Sequence, residues 1–238
     1  MAQGILVVGS SGSGKSTSIG QVESLGIKGV DAKETFIINV KGKSLPTKGW
    51  QNKYKSIDVT KPPVEGNYLA TTDAGLIVKT LQYISSNRQD IKNVIIDDCQ
   101  YIMSQEFMEN ALKTGFDKFN KMAKNMYDVI NTGISMRHDI NFIILTHDDE
   151  EDGKAKMKTL GKLLDVIVIL EVLFTIVLYT VTRTTPQGTT YHFATNRFVD
   201  DRNVMIPAKS PVNMFNEKLI PNDMGYVLEK IEEFNGNI

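Results

Sequence analysis

A glycine-rich run near the start of the chain carries the clearest chemical signal. Residues Gly9–Ser16 read Gly-Ser-Ser-Gly-Ser-Gly-Lys-Ser and match G-x-x-x-x-G-K-[ST] at every fixed position. In such a loop the backbone amides surround phosphate oxygens, the lysine reaches the β- and γ-phosphates, and the following hydroxyl binds Mg²⁺. The pattern predicts a site for ATP with Mg²⁺. The predicted nucleotide-binding residues are Gly9, Ser10, Ser11, Gly12, Ser13, Gly14, Lys15, Ser16 and Thr17.

Two acids at the end of an apolar run form the second candidate. Residues 93–98 read Asn-Val-Ile-Ile-Asp-Asp, which is typical of a buried strand with carboxylates at its tip. Such an acid holds Mg²⁺ through water, and we assign this role to Asp97, with Ser16 as the other metal ligand. Asp98 can then orient or deprotonate the attacking water. The alternative is that Asp98 only caps the following helix.

Thr146 and His147 follow the apolar run Asn141–Leu145. If this strand lies between the strand before the glycine-rich loop and the acid-tipped strand, both side chains lie near the γ-phosphate. We therefore group His147 with Lys15 and Asp98 as predicted catalytic residues. The alternative is a histidine whose hydrogen bonds are satisfied at a strand end.

A lysine-rich segment follows the second predicted strand. Positions 40–55 hold five lysines and no acid, interleaved with two aromatic residues. Cations for phosphates and aromatic faces for bases are the composition of a surface that binds single-stranded nucleic acid. The candidate DNA-binding residues are Lys41, Lys43, Trp50, Lys53 and Tyr54. The alternatives are a solvated loop whose Trp50 packs in the core, and a DNA contact at the acidic, flexible stretch 148–162.

The pattern of elements predicts an α/β fold. A strand at Gly4–Val8 leads into the glycine-rich loop and then a helix, and later strands alternate with helical segments. This order favours a mostly parallel sheet, with an antiparallel extension in the β-rich region that ends near Phe198. The other predicted strands are Glu34–Val40, Asn93–Ile96, Asn141–Leu145 and one within Leu164–Leu170. The predicted helices follow Asp73, span Phe116–Ile130 and span Asp223–Phe234.

Length and composition are those of one folded domain. The chain has 238 residues, 41% of them hydrophobic, and a net charge of −1, so any DNA contact must come from a local patch. We expect a core over about residues 1–170 and an extension over about 171–238. The single cysteine, Cys99, excludes an internal disulfide and fits a reducing cytosol. The loop begins so close to Met1 that we expect no signal peptide.

One apolar stretch raises the question of a membrane span. Leu163–Val181 is about long enough to cross a bilayer. It contains Asp165 and Glu171, however, and is rich in β-branched residues. Two buried strands are therefore the preferred interpretation, and we expect no membrane association.

Together these blocks resemble bacteriophage-encoded P-loop ATPases with a RecA-like (ASCE) core, the group that contains ATP-dependent single-strand annealing recombinases. The resemblance covers nearly the whole chain. Besides the glycine-rich loop, it rests on KETFIINVKGKSLPTKGW, VIIDDCQYIM, the Thr-His pair with TLGKLLD, and AKSPVNMFNEKLIPND. The chain departs from RecA itself at the second strand, which ends Asn39-Val40-Lys41 without the acid that RecA uses in catalysis.

The resemblance implies a three-layer P-loop NTPase fold and ATP hydrolysis coupled to single-stranded DNA in phage recombination or replication. It also implies a single-stranded DNA-binding protein as partner and a homo-oligomer whose sites are completed by a cation from the neighbouring subunit. The late cations suited to that role are Arg197, Arg202 and Lys209. Two alternatives are an ATP-switched annealing module with little turnover and a small-molecule kinase. The kinase is disfavoured because no arginine-rich lid is visible.

Overall fold

The computed structural model describes residues 1–58, 65–112, 114–161, 163–164, 169–186 and 188–237. Their main sheet has the strand order β12-β9-β8-β1-β5-β4-β2-β3, and a smaller sheet has the order β10-β11-β7-β6. The strands are β1 Gln3–Val8, β2 Thr35–Asn39, β3 Tyr68–Ala70, β4 Asn93–Asp97, β5 Asn141–Thr146, β6 Asp148–Glu151, β7 Lys154–Met157, β8 Ile176–Thr185, β9 Gly188–Ala194, β10 Phe198–Val199, β11 Met205–Ile206 and β12 Leu219–Pro221. The helices are α1 Trp50–Lys53, α2 Ala74–Asn87, α3 Tyr101–Glu109, α4 Asp117–Ile134 and α5 Met224–Phe234.

The centre of the main sheet is parallel. β5 pairs with β1 on one side and with β4 on the other, so that Thr146 lies beside Val8 and Ile144 beside Ile96. The condition set for the Thr146-His147 pair is therefore met. Because parallel strands end at the same edge, the tips of β1, β4 and β5 converge there, which is where open α/β sheets bind ligands.

Helices cover both faces of this sheet. Alternate residues of β1 point to opposite faces: Leu6 packs in a core with α2 and α4, whereas Ile5 packs in a second core with α5. Strands buried on both faces are continuously apolar, as observed for β1 and β4. The predicted α/β architecture is confirmed: three layers, a mostly parallel sheet and a late antiparallel part formed by β8, β9 and β12.

The helices after Asp73 and near the end of the chain are confirmed. Asp73 caps α2 by accepting a hydrogen bond from the backbone N–H of Leu76, and Asp223 caps α5 through that of Gly225. The amphipathic segment near residue 120 forms α4, which buries Met122, Met126 and Ile130 as part of its apolar face.

The prediction of a helix directly after the glycine-rich loop is wrong. The chain makes one helical turn, in which the N–H of Ser18 donates to the carbonyl of Gly14 at 2.9 Å, and then leaves helical geometry at Gly20. Ser and Thr at positions 16–18 are weak helix formers. Gly20 also lies so close to Thr47 that a Cβ there would be 2.0 Å from its methyl group.

The acidic stretch is ordered where it was expected to be flexible. β6 and β7 form an antiparallel hairpin in which Glu151 lies opposite Lys154, and the turn has positive φ at Asp152 and Gly153. An Asp-Gly pair is a strong hairpin signal that the sequence carries. The ion pair between Lys156 and Glu151, at 2.6 Å, joins the acidic strand to its basic partner.

The late apolar stretch contributes a strand of the main sheet. β8 pairs in parallel with β1 and antiparallel with β9. The strand predicted within Leu164–Leu170 falls mainly on residues 165–168, outside the described residues, and Leu170 begins a short 3-10 helix, Leu170–Leu173. Within the described part of the chain, no helix has the length and apolarity needed to cross a membrane.

Candidate nucleotide-binding site

A cavity of about 340 Å³ lies at the carboxyl edge of the central strands. Residues 11–17 of the glycine-rich loop form one wall. Asp97 and Asp98 from the end of β4, His147 from the end of β5 and Lys43 from the segment after β2 complete it. The structure thus brings the predicted phosphate-binding, metal-binding and catalytic residues around one cavity.

Glycines allow other elements to approach the loop closely. A Cβ at Gly9 would lie 1.7 Å from the hydroxyl of Thr180 in β8, which hydrogen-bonds the Ser13 hydroxyl at 2.7 Å. Gly14 has φ +91°, and a Cβ there would lie 2.6 Å from the amide nitrogen of Asn222. Larger residues at these positions would push away the elements that fix the loop.

Lys15 is buried and turned into its own loop. Its ammonium donates to the carbonyls of Gly9 and Ser10 at 2.6 and 2.7 Å. Burial lowers the pKa of Lys15, and the negative charges of Asp148, Asp98 and Asp97 oppose that shift. Phosphate oxygens entering the loop would take the place of these carbonyls as acceptors.

The side chains of Ser16 and Asp97 meet across 81 residues of sequence. The Ser16 hydroxyl donates to Oδ1 of Asp97 at 2.9 Å. Burial, and next the nearby charge of Asp98, raise the pKa of Asp97 to about 6. A hydroxyl and a carboxylate are hard oxygen donors of the kind that Mg²⁺ prefers, so these residues fit the metal that the sequence predicts.

Asp98 turns its carboxylate into the cavity. It adopts φ +62°, an uncommon backbone conformation that Asp tolerates better than most residues. Its Oδ2 accepts from Lys43 Nζ at 2.9 Å, and its Oδ1 lies 3.4 Å from Nε2 of His147. The α3 N-cap position is occupied by Gln100. The arrangement favours a role for Asp98 in the cavity over a capping role.

Gln100 links the tips of β4 and β5. Its side-chain oxygen accepts from the hydroxyl of Thr146 and from the backbone N–H of His147, both at 3.2 Å. Burial, and then the charge of Lys15, lower the pKa of His147, which favours the neutral imidazole. Because Gln100 follows β4 and contacts the end of β5, movement of one strand tip would displace the other.

The lysine-rich segment divides into two parts. Lys43 lines the cavity, and the ammonium groups of Lys41 and Lys43 lie 5.0 and 5.2 Å from the ring centre of Tyr101. Lys53 is exposed on α1. The segment therefore contributes Lys43 to the cavity instead of presenting all its lysines on one continuous DNA surface.

The aromatic residues of this segment are less available than the sequence suggests. Tyr54 is 7% exposed and packs in the core that contains Ile5 and α5, where burial raises its pKa to about 12. Its assignment as a base-stacking residue is corrected, because its ring is covered by the protein. Trp50 is half-buried and packs on Tyr68 with ring centres 5.3 Å apart.

The three late cations lie outside the cavity wall. Arg202 pairs with Asp200 at 2.9 Å and approaches Glu150 at 4.0 Å, on the smaller sheet. Arg197 and Lys209 are exposed. Among the described residues that line the cavity, none of these three cations is present. This placement leaves their proposed action on a neighbouring subunit as a prediction.

Three neighbours of the loop escaped the sequence analysis. Thr180 contacts Ser13, Tyr191 lines the cavity beside Gly14, and the amide of Asn222 donates to the Gly14 carbonyl at 2.9 Å. All three come from the late β-rich part of the chain. No motif marks Thr180 or Tyr191, and the block that contains Asn222 assigns it no role, because these roles depend on how β8, β9 and β12 extend the sheet past β1.

The strand order and the loop define a P-loop fold in which one strand separates the loop strand from the acid-tipped strand. No protein-family model matches the chain, and no curated protein matches it in sequence. Among solved structures it is similar to a KaiC-like protein from the hyperthermophilic archaeon Pyrococcus horikoshii, with 12% identity, a TM-score of 0.47 and coverage of 81% of this chain and 77% of that one. The fold assignment here stands on the topology and the loop.

Proposed function

We propose that the chain binds ATP with Mg²⁺ in this cavity and hydrolyses it. The observation that carries the proposal is the 2.9 Å contact between Ser16 and Asp97, because it joins a complete phosphate-binding loop to the carboxylate of a neighbouring strand. Ser16 and Asp97 would hold Mg²⁺, which would supply positive charge against the negative charge that develops during transfer. Lys15 is the cation that we expect to contact the β- and γ-phosphates.

Asp98 and His147 are the groups proposed to serve the attacking water. Water oxygen forms a bond to the γ-phosphorus while the bond to the bridging oxygen breaks, and ADP leaves with that electron pair. The proton of the water passes to the Asp98 carboxylate and then to solvent. His147, whose lowered pKa favours the neutral imidazole, lies 3.4 Å from Asp98 and is the alternative acceptor.

The nucleotide assignment is tested by titrating ATP with Mg²⁺ into wild type and Lys15→Ala. Loss of measurable binding is expected, because the substitution removes the buried ammonium that faces the phosphates. Lys79→Ala, which changes an exposed lysine of α2, serves as the control. Wild-type affinity in folded Lys15→Ala would contradict the assignment.

We further propose that the ATPase acts on single-stranded DNA, in phage recombination, annealing or replication, with a single-stranded DNA-binding protein as partner. Support comes from the sequence blocks that resemble annealing recombinases and from the exposed cations near α1, such as Lys48, Lys53 and Lys55. In a chain of net charge −1, this local cluster is the best candidate for contacts to backbone phosphates. Trp50, at the edge of the same segment, is the remaining candidate for base stacking.

ATP turnover with and without single-stranded oligonucleotide tests the DNA proposal. Stimulation that weakens steeply with salt is expected, because phosphate contacts release counterions. Lys53→Ala should lower the salt dependence, and Trp50→Ala should weaken binding by ~1–3 kcal/mol. Absence of any single-strand binding, with or without a non-hydrolysable ATP analogue, would defeat the proposal and leave the ATPase.

An ATP-switched module with little turnover is the second candidate. Two observations favour it: β2 ends at Asn39 with no acid following, and Asp98 is already paired with Lys43. In that case nucleotide binding would alter DNA affinity while single-stranded DNA left a slow turnover unchanged. The same assay therefore separates the two candidates.

A further inference from the structure

The turn after β2 holds Lys43 in a defined position. Asn39 is 2% exposed, and its side-chain amide donates to the Lys43 carbonyl at 2.7 Å. Its side-chain oxygen accepts from the N–H of Gly42 at 2.8 Å, and Gly42 has φ +66°. One buried asparagine thus spans the whole turn, so the Lys43 backbone is fixed although its side chain is exposed.

The Lys43 ammonium lies beside the Asp98 carboxylate at the cavity. It contacts Asp98 at 2.9 Å and stands over the Tyr101 ring, and Lys43 lines the same cavity as Lys15 and the loop. Lys15 and Lys43 thus line the same cavity, one from the loop and one from the turn after β2. Two cations in this arrangement suit a chain of phosphates.

The contact between Lys43 and Asp98 is suited to exchange. The Lys43 side chain is 57% exposed and that of Asp98 only 13%. Ion pairs with one mobile, hydrated partner contribute little to stability, so a multiply charged phosphate can compete for the ammonium. While the pair is formed, Oδ2 of Asp98 is occupied by Lys43 and cannot accept a hydrogen bond from water along the same direction.

We propose that Lys43 is a switch that reads the γ-phosphate: it pairs with Asp98 in the nucleotide-free protein and moves to the γ-phosphate when a triphosphate binds. The move leaves Asp98 free to accept from the attacking water. ADP lacks the group that draws Lys43 away, so the pair re-forms after hydrolysis. This inference rests on the proposed function, since it assumes that Mg²⁺ and ATP bind at the loop.

Affinities for a triphosphate and for ADP, each with Mg²⁺, test the switch. A non-hydrolysable ATP analogue and ADP are titrated into wild type, Lys43→Met and the control Lys79→Met, whose lysine is exposed on α2 away from the cavity. Lys43→Met should lose about tenfold in affinity for the analogue, the worth of one charge-assisted contact, and keep its affinity for ADP. Lys43→Arg, which keeps the charge, should recover much of the loss.

A second background separates direct contact from an effect through Asp98. In Asp98→Asn the pair is absent from the start, so Lys43→Met should still weaken the analogue about tenfold if the ammonium touches the γ-phosphate. Equal losses for the analogue and ADP, or no loss for either, would overturn the switch. If neither nucleotide binds to wild type, the proposed function itself fails, whatever Lys43 does.

Discussion

At the scale of single residues, the two adjacent acids at the tip of β4 have different surroundings. Asp97 is buried and accepts from Ser16, whereas Asp98 faces the cavity, paired with Lys43 and near His147. A one-residue step along a strand end, helped by the positive φ of Asp98, separates a carboxylate suited to a metal from one suited to water. The identities of these residues were predictable; their division depends on the backbone turn.

Asp98→Asn should keep nucleotide affinity and lose hydrolysis. The amide preserves the size of the side chain but cannot take a proton, and loss of a general base typically costs ~10²–10⁴-fold in rate. The measurement is single-turnover ATP cleavage at saturating nucleotide, alongside binding of the non-hydrolysable analogue. Full cleavage in the variant would transfer the role to another acceptor, and His147→Gln would then be expected to abolish it.

Asp97→Asn should stabilise the protein when Mg²⁺ and nucleotide are absent. Burial raises the pKa of Asp97 from 3.8 to about 6, so the folded state binds the proton more tightly than the unfolded state does. The charged carboxylate therefore costs stability above pH 6, by at most about 3 kcal/mol, and this cost disappears as the pH falls towards 4.

Thermal unfolding of the ligand-free protein at pH 8 and pH 5 measures this effect. The gain from Asp97→Asn should be larger at pH 8, and the exposed control Asp201→Asn should show no such pH dependence. With Mg²⁺ and nucleotide present the order should reverse, because the variant lacks the metal-binding carboxylate. A gain that is equal at both pH values would mean that Asp97 does not carry this cost.

At the scale of elements, the late part of the chain is hydrogen-bonded to the glycine-rich loop. Asn222, between β12 and α5, donates to the Gly14 carbonyl, and the N–H of Met224 donates to the Ser18 carbonyl at 2.9 Å. Asp223 accepts from the N–H groups of Lys28 and Gly29. Three consecutive residues thus tie the start of α5 to the loop and to the turn that follows it.

Asn222→Ala should weaken nucleotide binding without unfolding the protein. It removes one of the two donors to the Gly14 carbonyl, which still accepts from the N–H of Ser18, so we expect a loss of about 0.5–1.5 kcal/mol and a loop less well ordered for phosphate. Isothermal titration and thermal unfolding are compared with Asn216→Ala, an exposed site in the preceding segment. Unchanged nucleotide affinity would show that the loop holds its shape without this tie.

The success of sequence analysis varied with how local each signal is. The buried apolar strands and the start of α2 after Asp73 were predicted, because their causes lie within a few residues, whereas Asp223 was placed inside the last helix and in fact caps it. The prediction of a helix after the loop was wrong. It relied on the helix that usually follows this motif, whereas here Gly20 packs against Thr47. Tyr54 was assigned to DNA binding from the composition of its segment. Its burial could not be predicted there, because the residues that cover it are distant in the sequence.

At the scale of the whole molecule, the sheet extends on both sides of the cavity strands. β2 and β3 lie on one side and carry the lysine-rich segment, while β8, β9 and β12 lie on the other and lead to Asn222. Nucleotide in the cavity would therefore contact groups from both halves of the sheet, Lys43 on one side and the tied loop on the other. Nucleotide binding at such a site can therefore change the position of elements on either side of the cavity strands.

Subunit mixing should reveal a site completed by a neighbouring subunit. The cations Arg197, Arg202 and Lys209 do not line their own cavity in the described structure, so a catalytic role for any of them requires a second copy. Lys15→Ala abolishes a subunit's own site but leaves its late cations intact, whereas Arg197→Ala does the reverse. Each variant alone should be inactive, and an equimolar mixture should recover part of the wild-type turnover.

The Arg202→Ala and Lys209→Ala variants are mixed with Lys15→Ala in the same way, and at least one of the three should complement. Turnover per subunit should also rise with protein concentration as copies assemble. Full activity in all three late variants, together with turnover per subunit that is constant in a strictly monomeric protein, would show that each chain completes its own site.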